Sequence, residues 1–364
     1  MAPLIRVGVI GTSWWSDLAH LPMLKADPRV TLAALCGRNH QRANEMASKY
    51  GFGRVCTDYR DMIGGDDLDA VVVSAPDDQH YQMVMDALEA GLHVVCEKPL
   101  ALDAAHAKAM YEKAEKKNLR HMAFFTWRWM PHCRYARGLV EEGAIGRLYH
   151  AAFRFSGGHG RNPQYGWRFD RARSNGVLGD LGSHMFDMAR YLAGDIARVS
   201  AVIAAHAPHN DGDGRPMEAA NDSASVLVQF SSGAHGTVDV SSVARTGKSY
   251  PEQQVALHGE AGLLVMELSL SSGLSLRYAK GDDPLQDVAV PASYLQGIET
   301  AQPFLSWFVP MFAQQPIGCR LFVDEILEGR TVAPSFYDGW KAQQIVDAAL
   351  ASHQSGQWTA VEEG

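Results

Sequence analysis

Short, nearly unbroken apolar runs alternate with amphipathic helical stretches through the first 125 residues, and few architectures accommodate that order. The runs are Ile5–Ile10, Val30–Cys36, Ala70–Ser74, His93–Cys96 and His121–Phe125. Between them the spacing of apolar residues predicts helices near Ala19–Ala26, Gln41–Tyr50, Asp78–Ala90 and Ala104–Asn118. Strands that are apolar on both faces must be covered on both faces, so the sheet is parallel with helices on either side. Right-handed crossovers then make it a doubly wound, Rossmann-type domain that binds ligands beyond the carboxyl ends of its strands.

A chain of 364 residues exceeds one ordinary core. After about residue 146 the pattern changes to longer, alternating strands: Leu148–Phe155, Val199–His206, Ser223–Phe230, Gly236–Val243, Gln253–His258 and Leu263–Leu268. A bridging helix runs from about Cys133 to Glu142, and another is expected over Gly182–Leu192. Further helices close the chain at Phe304–Gln314, Gly318–Glu328 and Tyr337–Ser352. The reading is α/β: a dinucleotide-binding domain over residues 1–125, then an α+β substrate and oligomerisation domain over 126–364 with an open, largely antiparallel sheet. The last helices are free to pack back on the first domain.

A formal net charge of −8 argues against nucleic acid, whose phosphates need a basic face. No apolar run approaches a membrane span, and Ile5–Ile10 is too short for a signal-peptide core. Five scattered cysteines with no Cys-x-x-Cys look like reduced small residues, which places the protein in the cytoplasm. The His206–Gly214 loop superficially resembles a metal loop but lacks the late bidentate glutamate, so it reads as a solvated turn, and no metal is expected.

The first strand runs into Gly11-Thr12-Ser13-Trp14-Trp15-Ser16, where a G-x-G-x-x-G fingerprint would stand. Gly11 can make the tight turn, Ser13 is small enough for close approach of a pyrophosphate, and Ser16 can serve helix–strand packing. Trp14 and Trp15 either cover part of the cofactor or pack against a neighbouring domain. At the end of the second strand, Gly37 stands where an acid would bind the adenosine ribose of NAD; Arg38 then meets a 2′-phosphate or simply water. NADP is therefore favoured over NAD.

Two further segments carry chemistry. Glu97-Lys98-Pro99 lies just past the fourth apolar run, where a partly desolvated lysine is a proton donor or acceptor. In Asp180-Leu181-Gly182-Ser183-His184 the aspartate and histidine are four apart, hence on one helical face, and Gly182 permits close approach. The histidine can exchange a proton with an alcohol; the plainer reading is a helix cap and a structural hydrogen bond. Upstream, Tyr165, Trp167, Arg168 and Asp170 supply the aromatic faces and polar groups that a sugar ring needs.

Gly11, Ala75-Pro76 followed by His80, Ala87-Leu88-Glu89-Ala90-Gly91, Glu97-Lys98-Pro99-Leu100 and Asp180-x-Gly182-x-His184-x-x-Asp187 together resemble the Gfo/Idh/MocA family of glucose–fructose oxidoreductase and inositol dehydrogenase. The resemblance covers nearly the whole chain. It implies NAD(P)-dependent oxidation or reduction of a sugar, polyol or related hydroxyl compound, in a homo-oligomer (dimer or tetramer) built through the open sheet. It also places Lys98, Asp180 and His184 on catalytic positions, with the substrate further met by Tyr165, Trp167 and Arg168. Cofactor contacts fall on Gly11, Thr12, Ser13, Trp14, Trp15, Gly37, Arg38, Ala75, Pro76, His80, Glu97 and Lys98, and on Trp127-Arg128, which resembles the stretch after strand five. Two other readings of such a chain are a redox-assisted lyase or glycosidase that retains its cofactor, and a non-catalytic NAD(P)-sensing regulator.

Overall fold

The computed structural model describes residues 4–65, 67–162, 164–247, 252–269, 273–300, 302, 304–330 and 332–362. The chain divides into two compact units: Met1–Phe125 with Phe308–Trp340, and Thr126–Trp307 with Lys341–Gly364.

The first unit is a six-stranded parallel sheet of β1 (Ile5–Ile10), β2 (Val30–Cys36), β3 (Arg54–Cys56), β4 (Ala70–Val73), β5 (His93–Cys96) and β6 (His121–Ala123). Their order is β3-β2-β1-β4-β5-β6, so the connection reverses direction between β1 and β4. Five of the six strands and their helices follow the apolar pattern: α1 (Leu21–Ala26), α2 (His40–Tyr50), α4 (Asp77–Glu89) and α5 (Ala104–Lys116). The sequence reading missed β3 and α3 (Tyr59–Ile63), because three and five residues are too few to show a period. Caps confirm several boundaries. Asn39 accepts from the Arg42 N–H, Asp58 from Arg60 and Asp103 from His106.

The second unit starts with α6 (Pro131–Glu141) and contains a nine-stranded sheet of β7 (Leu148–Ser156), β8 (Ile196–Ala204), β9 (Ser223–Phe230), β10 (His235–Ser241), β11 (Glu252–Gly259), β12 (Gly262–Ser269), β13 (Gly273–Lys280), β14 (Gln286–Asp287) and β15 (Thr359–Ala360). Only β7 and β10 pair in parallel; every other neighbour is antiparallel, as the alternating sequence predicts. Along β9 and β10 inward and outward residues alternate strictly, with Ala224, Val226, Val228 and Phe230 turned to the core. Helix α7 (Ser183–Ala193) packs on β7. The remaining helices are α8 (Ala292–Leu295), α9 (Phe304–Gln314), α10 (Cys319–Glu328) and α11 (Phe336–Ser355).

Candidate active site

At the carboxyl end of β1, Gly11 takes φ +118°, and a Cβ there would lie 2.0 Å from the Ser74 carbonyl oxygen at the end of β4. No side chain fits, so this glycine is what lets the two strands at the reversal point run on side by side. The serines that replace the other fingerprint glycines do a second job. Ser16 Oγ bonds Ser74 Oγ at 2.9 Å, and Ser13 Oγ accepts from the Ser16 N–H at 3.1 Å. The expected helix start is one turn of wider π-helix, Ser16–His20, before α1. Such turns cluster at functional sites.

Gly37 has its own steric reason: a Cβ would meet Thr12 Cγ2 at 2.5 Å. Thr12 is further held by Arg42, whose Nε donates to its carbonyl at 2.6 Å. Arg38 is exposed beside it. Trp14 is 65% exposed, whereas Trp15 packs edge-on against Phe312 and donates its indole N–H to Glu97 Oε1 at 2.7 Å.

Lys98 follows β5 and is half-buried, with a cis Lys98–Pro99 peptide after it. Its neighbours are inward-turned struts. Glu97 also faces His20 Nε2 at 2.7 Å, and its Oε2 accepts from the Lys98 N–H at 3.2 Å. Burial alone would raise the Glu97 pKa, yet the hydrogen bond and charge of His20, with Lys98, hold it below the ordinary value. His80, fully buried, has one ring nitrogen 2.8 Å from the Pro99 carbonyl and the other 2.9 Å from that of Ala75. Burial lowers its pKa against those two acceptors. His80 therefore ties the Ala75-Pro76 turn to the lysine turn.

The second unit brings its own polar group together. A π turn over Leu178–Gly182 feeds into α7, so Asp180 and His184 lie in successive turns of one continuous helix. Asp180 Oδ1 is 3.7 Å from Arg168 Nε and its Oδ2 is 3.7 Å from His159 Nε2. Arg168 stacks over Trp167, whose ring centre is 4.2 Å from the guanidinium carbon. Tyr165 is exposed and accepts from Arg173 Nη1 at 3.1 Å, while Asp170 caps its own turn through the Ala172 N–H. Gly182 is not crowded by protein: an added Cβ would be 3.4 Å from Leu178. His184 lies edge-on to Trp127, with ring centres 6.1 Å apart.

Arg128 makes a two-pronged ion pair with Asp187, at 2.8 and 2.5 Å, with side chains 8% and 2% exposed. This clamps the turn Thr126–Trp129 to α7, one turn beyond His184. Sequence reasoning passed over His20 and His159. The first sits in an apolar helix where no local pattern marks it. The second follows the pair Gly157-Gly158 at the end of β7, a turn signal that deserved reading as a site boundary.

All five cysteines are free thiols, and among the described residues no group of three acidic, histidine or cysteine side chains is arranged to hold a metal ion. No helix among the described residues is long and apolar enough to cross a membrane.

A sheet that reverses order beside a glycine turn, followed by a mixed-sheet unit carrying an aspartate–histidine helix, defines a nicotinamide-dependent oxidoreductase of two units. The chain belongs to the GFO/IDH/MocA family: residues 5–125 match its oxidoreductase domain with NAD-binding Rossmann fold, and residues 133–265 match its C-terminal domain. It is 29% identical to levoglucosan dehydrogenase of Pseudarthrobacter phenanthrenivorans over 98% of this chain and 97% of the relative. It is 26% identical to inositol 2-dehydrogenase of Rhizobium meliloti, covering 96% of each. Among solved structures, levoglucosan dehydrogenase in complex with NADH and levoglucosan superposes with a TM-score of 0.88 at 28% identity, over 99% of this chain and 100% of that one.

Proposed function

We propose that the protein is an NAD(P)-dependent dehydrogenase acting on a secondary alcohol of a cyclic sugar, a polyol or a sugar derivative. The observation that carries this reading is the equipment of the two units: a lysine at the carboxyl end of β5 in the dinucleotide unit, and, in the other, Asp180 in the π turn with His184 in the α7 helix that continues it. Relatives and structural neighbours named for levoglucosan and inositol supply the substrate class.

The residues fit the cofactor on chemical grounds. Gly11, Thr12, Ser13 and the following π turn put a glycine turn of small residues and a helix start at the reversal point of the sheet, the arrangement that takes a pyrophosphate. Ala75, Pro76 and Lys98 border the same strand ends. A bound nicotinamide supplies the hydride acceptor. His184 takes the hydroxyl proton, and Lys98 is the second proton-handling group that assists it. Asp180 binds sugar hydroxyls, with Arg168 and His159 beside it; Trp167 and Tyr165 offer apolar faces to the ring. Arg128 acts indirectly, through Asp187 and the helix that carries His184.

The test is turnover of a panel of sugars and polyols, followed by the absorbance of reduced nicotinamide. Lys98→Ala and His184→Ala should each lower kcat by at least about a hundredfold, with dinucleotide Kd unchanged in the His184 variant. Normal turnover by His184→Ala removes the assignment.

NADP is used at least as well as NAD in this reading. Arg38 is exposed beside Gly37, which has no carboxylate to repel a 2′-phosphate. Arg38→Ala should lower kcat/KM for NADP alone; a strong wild-type preference for NAD, unmoved by the substitution, refutes it. Val202 and Leu227, 71% and 51% exposed on β8 and β9, support a homo-oligomer formed through the large sheet, which light scattering tests. The five free thiols support a reducing, cytoplasmic location.

A further inference from the structure

We propose that His20 is a positioning residue for Lys98: held by Cys319, it fixes the Glu97 carboxylate together with Trp15, and Glu97 in turn fixes the lysine turn. The proposal rests on the reading of Lys98 as a proton-handling group.

The chain of contacts lies wholly within the first unit. Glu97 Oε1 is 2.7 Å from both Trp15 Nε1 and His20 Nε2, and Oε2 receives the Lys98 N–H. The far nitrogen of His20, Nδ1, is 3.4 Å from Cys319 Sγ. His20 and Cys319 have no exposed surface, and the Phe124 ring lies 4.2 Å from the imidazole.

The donor inventory orders the protons. A carboxylate only accepts and an indole only donates, so His20 Nε2 carries a hydrogen and gives it to Glu97. The other nitrogen, Nδ1, faces the Cys319 sulfur: it accepts from the thiol when the ring carries one proton and donates to the sulfur when it carries two. Burial pushes the thiol pKa well up, so its proton stays on sulfur. Each polar atom named has a partner of the right kind, and the carboxylate has three donors.

The consequence is mechanical and electrostatic. A buried carboxylate stripped of one strong donor protonates or rotates away. The Lys98 N–H then loses its acceptor, and the lysine loses the fixed negative charge beside it. Trp15 belongs to the turn after β1, so the same carboxylate also joins the dinucleotide turn to the lysine.

A double-mutant cycle separates this role from a purely structural one. His20→Leu should lower kcat about tenfold in the wild-type background, and less than about twofold when Lys98 is already alanine. His20→Gln, whose amide N–H can replace Nε2–H, should recover most of the loss. Glu97→Gln should move the alkaline limb of the kcat/KM pH profile to lower pH, because a negative charge beside the lysine is gone. Should His20→Leu fail to fold by circular dichroism, Cys319→Ala against Cys319→Ser makes the same comparison, with alanine the slower and coupled to Lys98. Equal fold-losses in both backgrounds, or unchanged kcat in folded His20→Leu, overturn the proposal. Normal turnover by Lys98→Ala alone instead overturns the reading beneath it.

Discussion

In the first unit the polar groups of the site hang on partners that are themselves buried; in the second, His159, Tyr165 and Arg168 stand on partly exposed turns beside the helix that carries Asp180 and His184. Glu97 is satisfied by an indole, an imidazole and a backbone N–H, at 2.7 to 3.2 Å. Asp180 has Arg168 and His159 at 3.7 Å each, and Arg168, Tyr165 and His159 keep some exposure. The first arrangement suits a ligand that is always the same molecule. The second keeps Arg168, Tyr165 and His159 partly open to solvent, and loops of this kind can change without disturbing a core.

The largest effect expected concerns the buried ion pair of Arg128 with Asp187 in the second unit. Arg128→Met strands the Asp187 carboxylate and should destabilise the protein by about 3–5 kcal/mol, whereas Arg128→Met with Asp187→Leu recovers most of it. Denaturant unfolding checks both, and equal stability of the single and double variants would show that the pair is not what clamps α7.

Next is a charge in the first unit. Glu325 on α10 is buried, accepts the Val332 N–H at 2.9 Å, and has its pKa pushed by burial up to about 8. The folded state thus holds this proton more tightly than the unfolded chain. Its contribution is complete below the unfolded carboxyl value and is lost as pH rises through about 8. Stability should fall by on the order of 3 kcal/mol from pH 5 to 8 through this group. Glu325→Gln keeps an acceptor for Val332 and should flatten that fall; an unchanged slope of unfolding midpoint against pH would sink the assignment.

The smallest effect belongs to the open loops. Tyr165→Phe loses only the oxygen that accepts from Arg173, and should change stability by less than about 0.5 kcal/mol. If the loop faces sugar, KM rises severalfold while dinucleotide Kd does not move. A shift in dinucleotide Kd would erase the contrast between the two regions.

What was legible in the sequence follows the same divide. Strands such as Ile5–Ile10 and His93–Cys96 are apolar apart from Arg6 and His93, so their positions are forced, and the lysine just past one of them is conspicuous. Asp180 and His184 were visible because a helix fixes their spacing, although the π turn was not, since nothing local announces a wider turn. His20, Cys319 and His159 stayed hidden for one reason: each gains its role from a residue far along the chain, as with His20 and Cys319, 299 positions apart. Beside the cofactor contact that the resemblance implied for Glu97 and His80, nothing in the sequence signalled their protein partners, His20 for Glu97 and the Pro99 and Ala75 carbonyls for His80.

The chain leaves the first unit at Phe125 and re-enters it at Phe308. Strand β6 lies at the rim of the six-stranded sheet, and the Ala123 N–H there is received by the Pro334 carbonyl at 3.2 Å. A ribosome that has just released residue 125 has therefore made a sheet with one rim uncovered and a histidine awaiting its thiol. The thiol is Cys319, 194 positions past residue 125, and the carbonyl is Pro334, 209 positions past it. For that interval the nascent Rossmann half carries an exposed pairing edge, the sort of surface that trigger-type chaperones shelter and that neighbouring nascent chains can capture.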